Sequence, residues 1–200
     1  MSREYAALPM SLVPSGIGYC APEQKLAARV QIDDRAIEAM TDLMRVSAVI
    51  IRPTDTIDEA KERMKQRGVR LLLVANAARE VVGLITSADI LGDKPMRFVQ
   101  ANRVRHQDIL VRDIMTPQEQ MEAIDMQQVE SSRVGHVVAT LRATGRQHAL
   151  VVEADGARGR RVRGIFSATQ LARQLGVDVQ SVFAAEIAHT FAEIEATLGR

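Results

Sequence analysis

The chain has 200 residues, 46% hydrophobic and 26% charged, which is ordinary soluble globular composition and enough for one or two domains with a sizeable core. Its 26 Lys and Arg against 25 Asp and Glu leave a formal charge of +1, and aromatics are 3% with no Trp, so neither a basic field nor stacking platforms favour nucleic acid as a partner. A single Cys20 excludes an internal disulfide, nothing resembles a zinc cluster, and no apolar stretch reaches a signal-peptide core or the roughly 18 residues of a membrane span; the expectation is a cytoplasmic chain with no metal and no membrane partner.

Residues 1–35 read as an N-terminal arm, with Cys20 inside the Pro- and Gly-punctuated stretch 12–22. Val49-Ile50-Ile51 is a short β-branched run closed by Arg52-Pro53, hence a strand. Thr56 followed by Glu59 has the form of a capping box, and Ile57, Ala60 and Met64 recur at helical spacing, which predicts a helix to about Arg67. Gly68 sits where a left-handed residue would end it. Leu71-Leu72-Leu73-Val74-Ala75 has the length and continuity of a strand buried on both faces. Residues 76–80 form the turn, residues 81–85 the next strand, and Thr86 or Ser87 caps a helix reaching Leu91. The unit is β-α-β-β-α.

The same order then recurs. Ala60, Met64, Gly68 and Leu73 match Val137, Leu141, Gly145 and Leu150, each 77 positions on; past the hairpin the offset is 81, with Gly83 on Gly164 and Thr86 on Ser167. The second helix is 134–144, its strands 148–153 and 162–166, and the four extra residues fall in the loop 154–161, where Asp155-Gly156 signals a turn. Arg158, Arg160, Arg161 and Arg163 there suit either phosphate binding or a solvated hairpin tip. Two copies are too few for a solenoid and imply one body packed face to face. A last helix over about 179–198 carries Phe183, Ile187, Phe191, Ile194 and Leu198 on one stripe, which fits packing on its own domain and a dimer seam equally.

This pattern resembles tandem cystathionine-beta-synthase (CBS) domains, the pair often called a Bateman module, over about residues 40–176. Three motifs carry the resemblance. A lead-in helix reads Asp113-Ile114-Met115-Thr116-Pro117 and, more loosely, Thr41-Asp42-Leu43-Met44; a helix ends in Gly before an apolar strand; and a Gly-x-x-Ser/Thr-x-x-Asp close reads Gly83-Leu84-Ile85-Thr86-Ser87-Ala88-Asp89, then Gly164-Ile165-Phe166-Ser167-Ala168-Thr169-Gln170. The resemblance implies an α/β (α+β) fold of two β-α-β-β-α repeats related by pseudo-twofold symmetry. The divisions are an arm (1–35), a first repeat (36–102), a second repeat (103–177) and a C-terminal amphipathic helix (178–200).

The resemblance further implies a non-catalytic sensor that binds an adenosyl ligand, AMP, ADP, ATP or S-adenosylmethionine, in clefts between the repeats, as a regulatory ligand and not a catalytic cofactor. Thr86 and Asp89 match the family's ligand positions: a hydroxyl at a strand-to-helix junction suits a phosphate, and a carboxylate three residues on suits two ribose hydroxyls. N-capping alone would also use them. In the second copy Gln170 replaces the carboxylate, while Ser167 and Thr169 keep hydroxyls. Arg70, and Gln147 with His148 in the second copy, match positions that face ligand phosphates, and Arg70 has the planar fork for one. Thr54 and Asp55, and Arg133 after Ser131-Ser132, match a further ligand-facing region and also suit helix caps. Both copies lack the family's Pro in the apolar strand.

His106, His136, His148 and His189 are scattered, with no His-x-x-x-His pair and no P-loop, so no catalytic residue is assigned. The expected partners are a second copy of the chain, the adenosyl ligand and an effector protein whose identity the sequence does not give. The alternative is a ligand-free dimerisation or protein-interaction module.

Overall fold

The computed structural model describes residues 29–156 and 159–183. Two four-stranded sheets organise the described chain. In the first repeat, β2 (Ile50–Ile51) lies parallel to β3 (Leu71–Ala75), which pairs antiparallel with β4 (Val81–Thr86). Between them runs α2 (Ile57–Arg67). Its Thr56 hydroxyl accepts from the Glu59 N–H at 3.2 Å while the Glu59 carboxylate accepts from the Thr56 N–H at 2.7 Å. Gly68 closes the helix at φ 63°, as the glycine position predicts. The short α3 (Ser87–Leu91) follows β4.

The second repeat repeats this order as β6 (Ala123–Asp125), α7 (Val134–Thr144), β7 (His148–Ala154), β8 (Arg160–Ser167) and α8 (Ala168–Leu175). It carries one element that the periodicity did not reveal. Ten positions separate Ile124 from Val134, against six between Ile51 and Ile57, and the extra length folds as α6 (Met126–Ser131). The four extra residues of the hairpin lengthen its strands and not the loop expected over 154–161: where pairing in the first repeat ends at Ala75 with Val81, the equivalent Val152–Val162 pair is followed by Glu153 with Arg161 and Ala154 with Arg160, two residues more on each strand.

Why β3 is apolar throughout is clear from its two faces. Leu72 and Val74 pack with Ile57, Ala60, Met64, Ile85 and Ile90 in the core of the first lobe, whereas Leu71 and Leu73 face the other repeat and meet Leu150. The strand is buried on both sides, so the alternation of a half-exposed strand never arises. In β7, Val151 and Ala149 pack toward the helices of the second lobe, leaving His148 and Leu150 on the seam. Leu84 and Ile165 complete that seam.

The lobes exchange their lead-in segments. The strand β5 (Thr116–Pro117) pairs with β4 of the first sheet, and β1 (Thr41–Asp42) pairs with β8 of the second. Likewise α5 (Val111–Ile114) buries Val111 and Ile114, beside Ile109, in the first lobe, while α1 (Ala36–Ala39) buries Ala36 and Ala39, beside Met40, in the second. The backbone locks both crossings: Val111 N–H donates to Asp55 O at 2.8 Å, and Ala36 N–H donates to Ser132 O at 3.0 Å. Residues 36–42 therefore pack with the second repeat and 109–117 with the first.

This exchange corrects one alignment. The loose match of the lead-in motif to Thr41-Asp42-Leu43-Met44 is out of register, because Thr116 pairs with Leu84 and Thr41 pairs with its equivalent Ile165. The true counterpart of Met115-Thr116 is Met40-Thr41. Both methionines sit where a glycine leaves room: a Cβ on Gly83 would meet Met115 Sδ at 2.9 Å and Thr116 O at 2.6 Å, and one on Gly164 would run into Met40. Met44 is instead 65% exposed.

At the ends, α4 (Lys94–Asn102) packs on α3 and α5, and α9 (Val179–Phe183) packs on α7 and α8 with Val182 fully buried. The remainder of the predicted C-terminal helix, including Ile187, Phe191, Ile194 and Leu198, lies outside the described residues, as does the arm before residue 29. The described end of the arm docks on the second lobe, with Val30 N–H donating to Gln174 O at 3.0 Å. Among the described residues no helix is long and apolar enough to cross a membrane.

Candidate functional site

A cavity of about 360 Å3 opens in the cleft between the lobes, within the range of small-molecule sites. Its apolar walls are Leu71 and Leu84 from one repeat and Leu150 and Met121 from the other. Polar groups converge from both sides: Thr86 and Asp89 from the β4–α3 junction, Thr116 from the exchanged strand β5, and Glu122, Arg146, Gln147 and His148 from the second repeat.

The junction is built by its own capping box. Thr86 holds extended backbone at the end of β4, its hydroxyl accepts from the Asp89 N–H at 3.3 Å, and Asp89 Oδ2 accepts from the Thr86 N–H at 2.8 Å and from its hydroxyl at 2.7 Å. Capping and cavity lining are thus the same two side chains. Lys94 Nζ lies 2.6 Å from Asp89 Oδ1. Across the cavity Arg146 pairs with Glu122 at 2.8 Å.

His148 is the perturbed group. Burial in the seam, with the positive charge of Arg70 nearby, pushes its imidazole down to about 4, so it stands neutral at pH 7. Its counterpart in the first repeat is Leu71, since Leu71 pairs with Thr86 and His148 with Ser167. One apolar position of the duplication has become a neutral imidazole able to donate or accept.

The expected site residues divide into groups. Thr86, Asp89 and His148 line the cavity together. Arg70 does not line it; the residue sits at a second groove with Lys61, Met64, Ile90 and Leu91 and reaches His148 through its charge. Asp55 is buried and spent in its own turn, accepting from the Arg52 N–H at 3.2 Å and Arg52 Nε at 3.0 Å, with Arg63 at 3.7 Å; the adjacent Thr54 is exposed. Arg133 is exposed, and its guanidinium donates to Asp33 O at 3.1 Å, tying α7 to the arm. Ser167, Thr169 and Gln170 are half-buried at the β8–α8 junction and outside this cavity.

The hairpin arginines are engaged by carboxylates. Arg160 pairs with Asp125, Arg161 with Glu153 at 2.7 Å, and Arg163 with both Asp42 and Glu153. Arg158 lies outside the described residues. Reading the sequence missed the walls and three polar members, Thr116, Glu122 and Arg146. Thr116 stood within the quoted lead-in motif, but its place depends on β5 crossing to the other sheet.

The family model for the CBS domain matches residues 40–93. Among solved structures, a conserved protein from Pyrococcus horikoshii superposes with a TM-score of 0.52 at 24% identity, covering 71% of this chain and 92% of that one. CBSX2, a CBS-pair protein from Arabidopsis thaliana, was solved in complex with AMP; that structure superposes at TM-score 0.50 and 21% identity over 70% of this chain and 94% of its own. A CBS-domain-containing protein from Agrobacterium tumefaciens gives 0.50 and 18% over 78% and 98%. These likenesses show the fold. No curated protein matches the chain.

Proposed function

We propose that this chain is a CBS-domain protein folded as a tandem pair and acts as a regulatory module that takes an adenosyl ligand in the cleft between its repeats and thereby alters a partner protein. The observation that carries the reading is one cavity where Thr86 and Asp89 of one repeat face Arg146, Gln147 and His148 of the other between leucine walls. Apolar walls suit the flat face of an adenine, a carboxylate suits a ribose diol, and a hydroxyl with a guanidinium suits a phosphate. The AMP bound to CBSX2 supports the same class of ligand. AMP, ADP, ATP and S-adenosylmethionine share the adenosyl group, and the chain's own residues supply no reacting nucleophile in this reading.

A ligand that touches both repeats binds one relative arrangement of the lobes better than another, and that difference is what an effector protein would sense. Exposed Leu91, Met96 and Val46 suit association of the module as a homodimer. The deciding experiment is a thermal-shift and calorimetric series with the four ligands. At a hundredfold excess over Kd, binding contributes about 2.7 kcal/mol, or roughly 5 to 10 °C in Tm. An unchanged Tm with all four at millimolar concentration, on folded protein, would leave the ligand-free dimerisation module as the better reading. Light scattering at micromolar concentration tests the dimer separately, and a monomer mass would remove it.

A further inference from the structure

The Asp89 carboxylate is nearly saturated by the chain itself. Oδ2 accepts from the Thr86 N–H and the Thr86 hydroxyl, and Oδ1 holds the Lys94 ammonium. A carboxylate offers about four acceptor positions, so about one remains free. A ribose presents two adjacent hydroxyls, and accepting both requires that one of the present partners leave.

The partners differ in how readily they can go. The Thr86 N–H belongs to the cap of α3, and releasing it opens the strand-to-helix turn. Lys94 is the first residue of α4, its side chain is 48% exposed, and water can solvate the ammonium as it withdraws. Its other contact is a donated hydrogen bond of 3.3 Å to the Ile114 carbonyl at the end of α5. Lys94 therefore pins together α3, which carries Asp89, its own α4, and the exchanged lead-in that carries Thr116 into the cavity.

We propose that Lys94 is a built-in competitor of the ligand: it and a ribose diol compete for Asp89, and the diol's arrival displaces it, freeing the start of α4 from α3 and α5. Occupancy is thereby passed to a surface helix whose Met96 is 60% exposed. This rests on reading the cleft as an adenosyl site and adds a regulatory contact to it.

The test is calorimetric titration of the full chain, with AMP and with 2′,3′-dideoxy-AMP, in the wild type, Lys94→Met and Lys94→Gln. The Gln variant keeps a donor for the Ile114 carbonyl, so it reports on Asp89 even if Met disturbs the packing. Both variants are expected to bind AMP about three- to fivefold more tightly, the scale of a partly exposed ion pair, with the dideoxy ligand changed by less than about twofold. In the wild type, AMP is expected to speed amide exchange over residues 97–99, where the Arg97 N–H donates to Asp93 O at 3.0 Å. Equal or weaker AMP binding by both variants, or the same gain with the dideoxy ligand, overturns the competitor while leaving the cleft as a ligand site. If neither wild type nor variants bind AMP, ADP, ATP or S-adenosylmethionine, the adenosyl reading itself fails and the competitor falls with it.

Discussion

Replacing His148 with leucine, the residue its counterpart Leu71 already is, makes the chain more tolerant of acid. In the folded protein the imidazole is pushed down to about 4 by burial in the seam and by Arg70, against an ordinary 6.5. The unfolded chain thus binds a proton that the native state refuses. The stability held by neutral His148 is complete above pH 6.5, is lost progressively as pH falls toward 4, and loses nothing further below that. Between pH 7 and pH 5 the loss is about 2 kcal/mol, or roughly 4 to 8 °C in Tm for a chain of this size. Thermal unfolding of the wild type and His148→Leu across pH 4.5–7.5 isolates the effect, because carboxylates and the other histidines contribute equally to both. The curves are expected to converge near neutrality, apart from a constant offset, and to separate steadily below pH 6.5. Parallel curves throughout that window would refute the assignment of a neutral buried imidazole to this seam.

Four further outcomes follow from the geometry. Gly83→Ala places a Cβ 2.6 Å from the Thr116 carbonyl, a backbone atom with little room to move, and is expected to cost about 1–3 kcal/mol in urea unfolding; Gly68→Ala meets no atom within 4 Å and costs only the left-handed strain, about 1–2 kcal/mol. Asp55→Ala removes the bond from the Arg52 N–H that closes its turn, while water takes over the exposed Arg52 guanidinium, and is expected to lower stability by about 0.5–1.5 kcal/mol without changing AMP affinity, which calorimetry checks. Asp89→Ala is expected to abolish most AMP-dependent stabilisation, whereas Gln170→Ala leaves most of it; a larger effect at Gln170 would relocate the site. A fragment of residues 36–102 lacks Ile109, Val111 and Ile114, whose burial contributes about 5–9 kcal/mol, so its circular dichroism is expected to show no cooperative unfolding.

The sequence by itself determined the duplicated helices and strands whose signals are local, while α4 and α6 went unread. Thr56 with Glu59 and Thr86 with Asp89 announce helix starts because the capping groups lie three residues from the amides they satisfy. Gly68 and Gly145 announce the stops because a left-handed residue closes each helix. The apolar run 71–75 announced a strand covered on both faces, and the duplication announced its partner. Tertiary structure alone decided the rest. The two-residue strands β1 and β5 have no periodicity to read, and their crossing to the opposite sheets rests on pairings such as Thr41 with Ile165, 124 positions away. That crossing brought Thr116 into the cleft, moved the lead-in match from Met44 to Met40, and set the domain cores across the order of the chain. His148 was legible as a candidate but not as a neutral one, because its protonation follows from the apolar seam and from Arg70, 78 positions earlier. Helix caps and turns are fixed by groups a few residues apart, which a sequence displays side by side; a cleft between two repeats is made of residues that only folding brings within reach of one another.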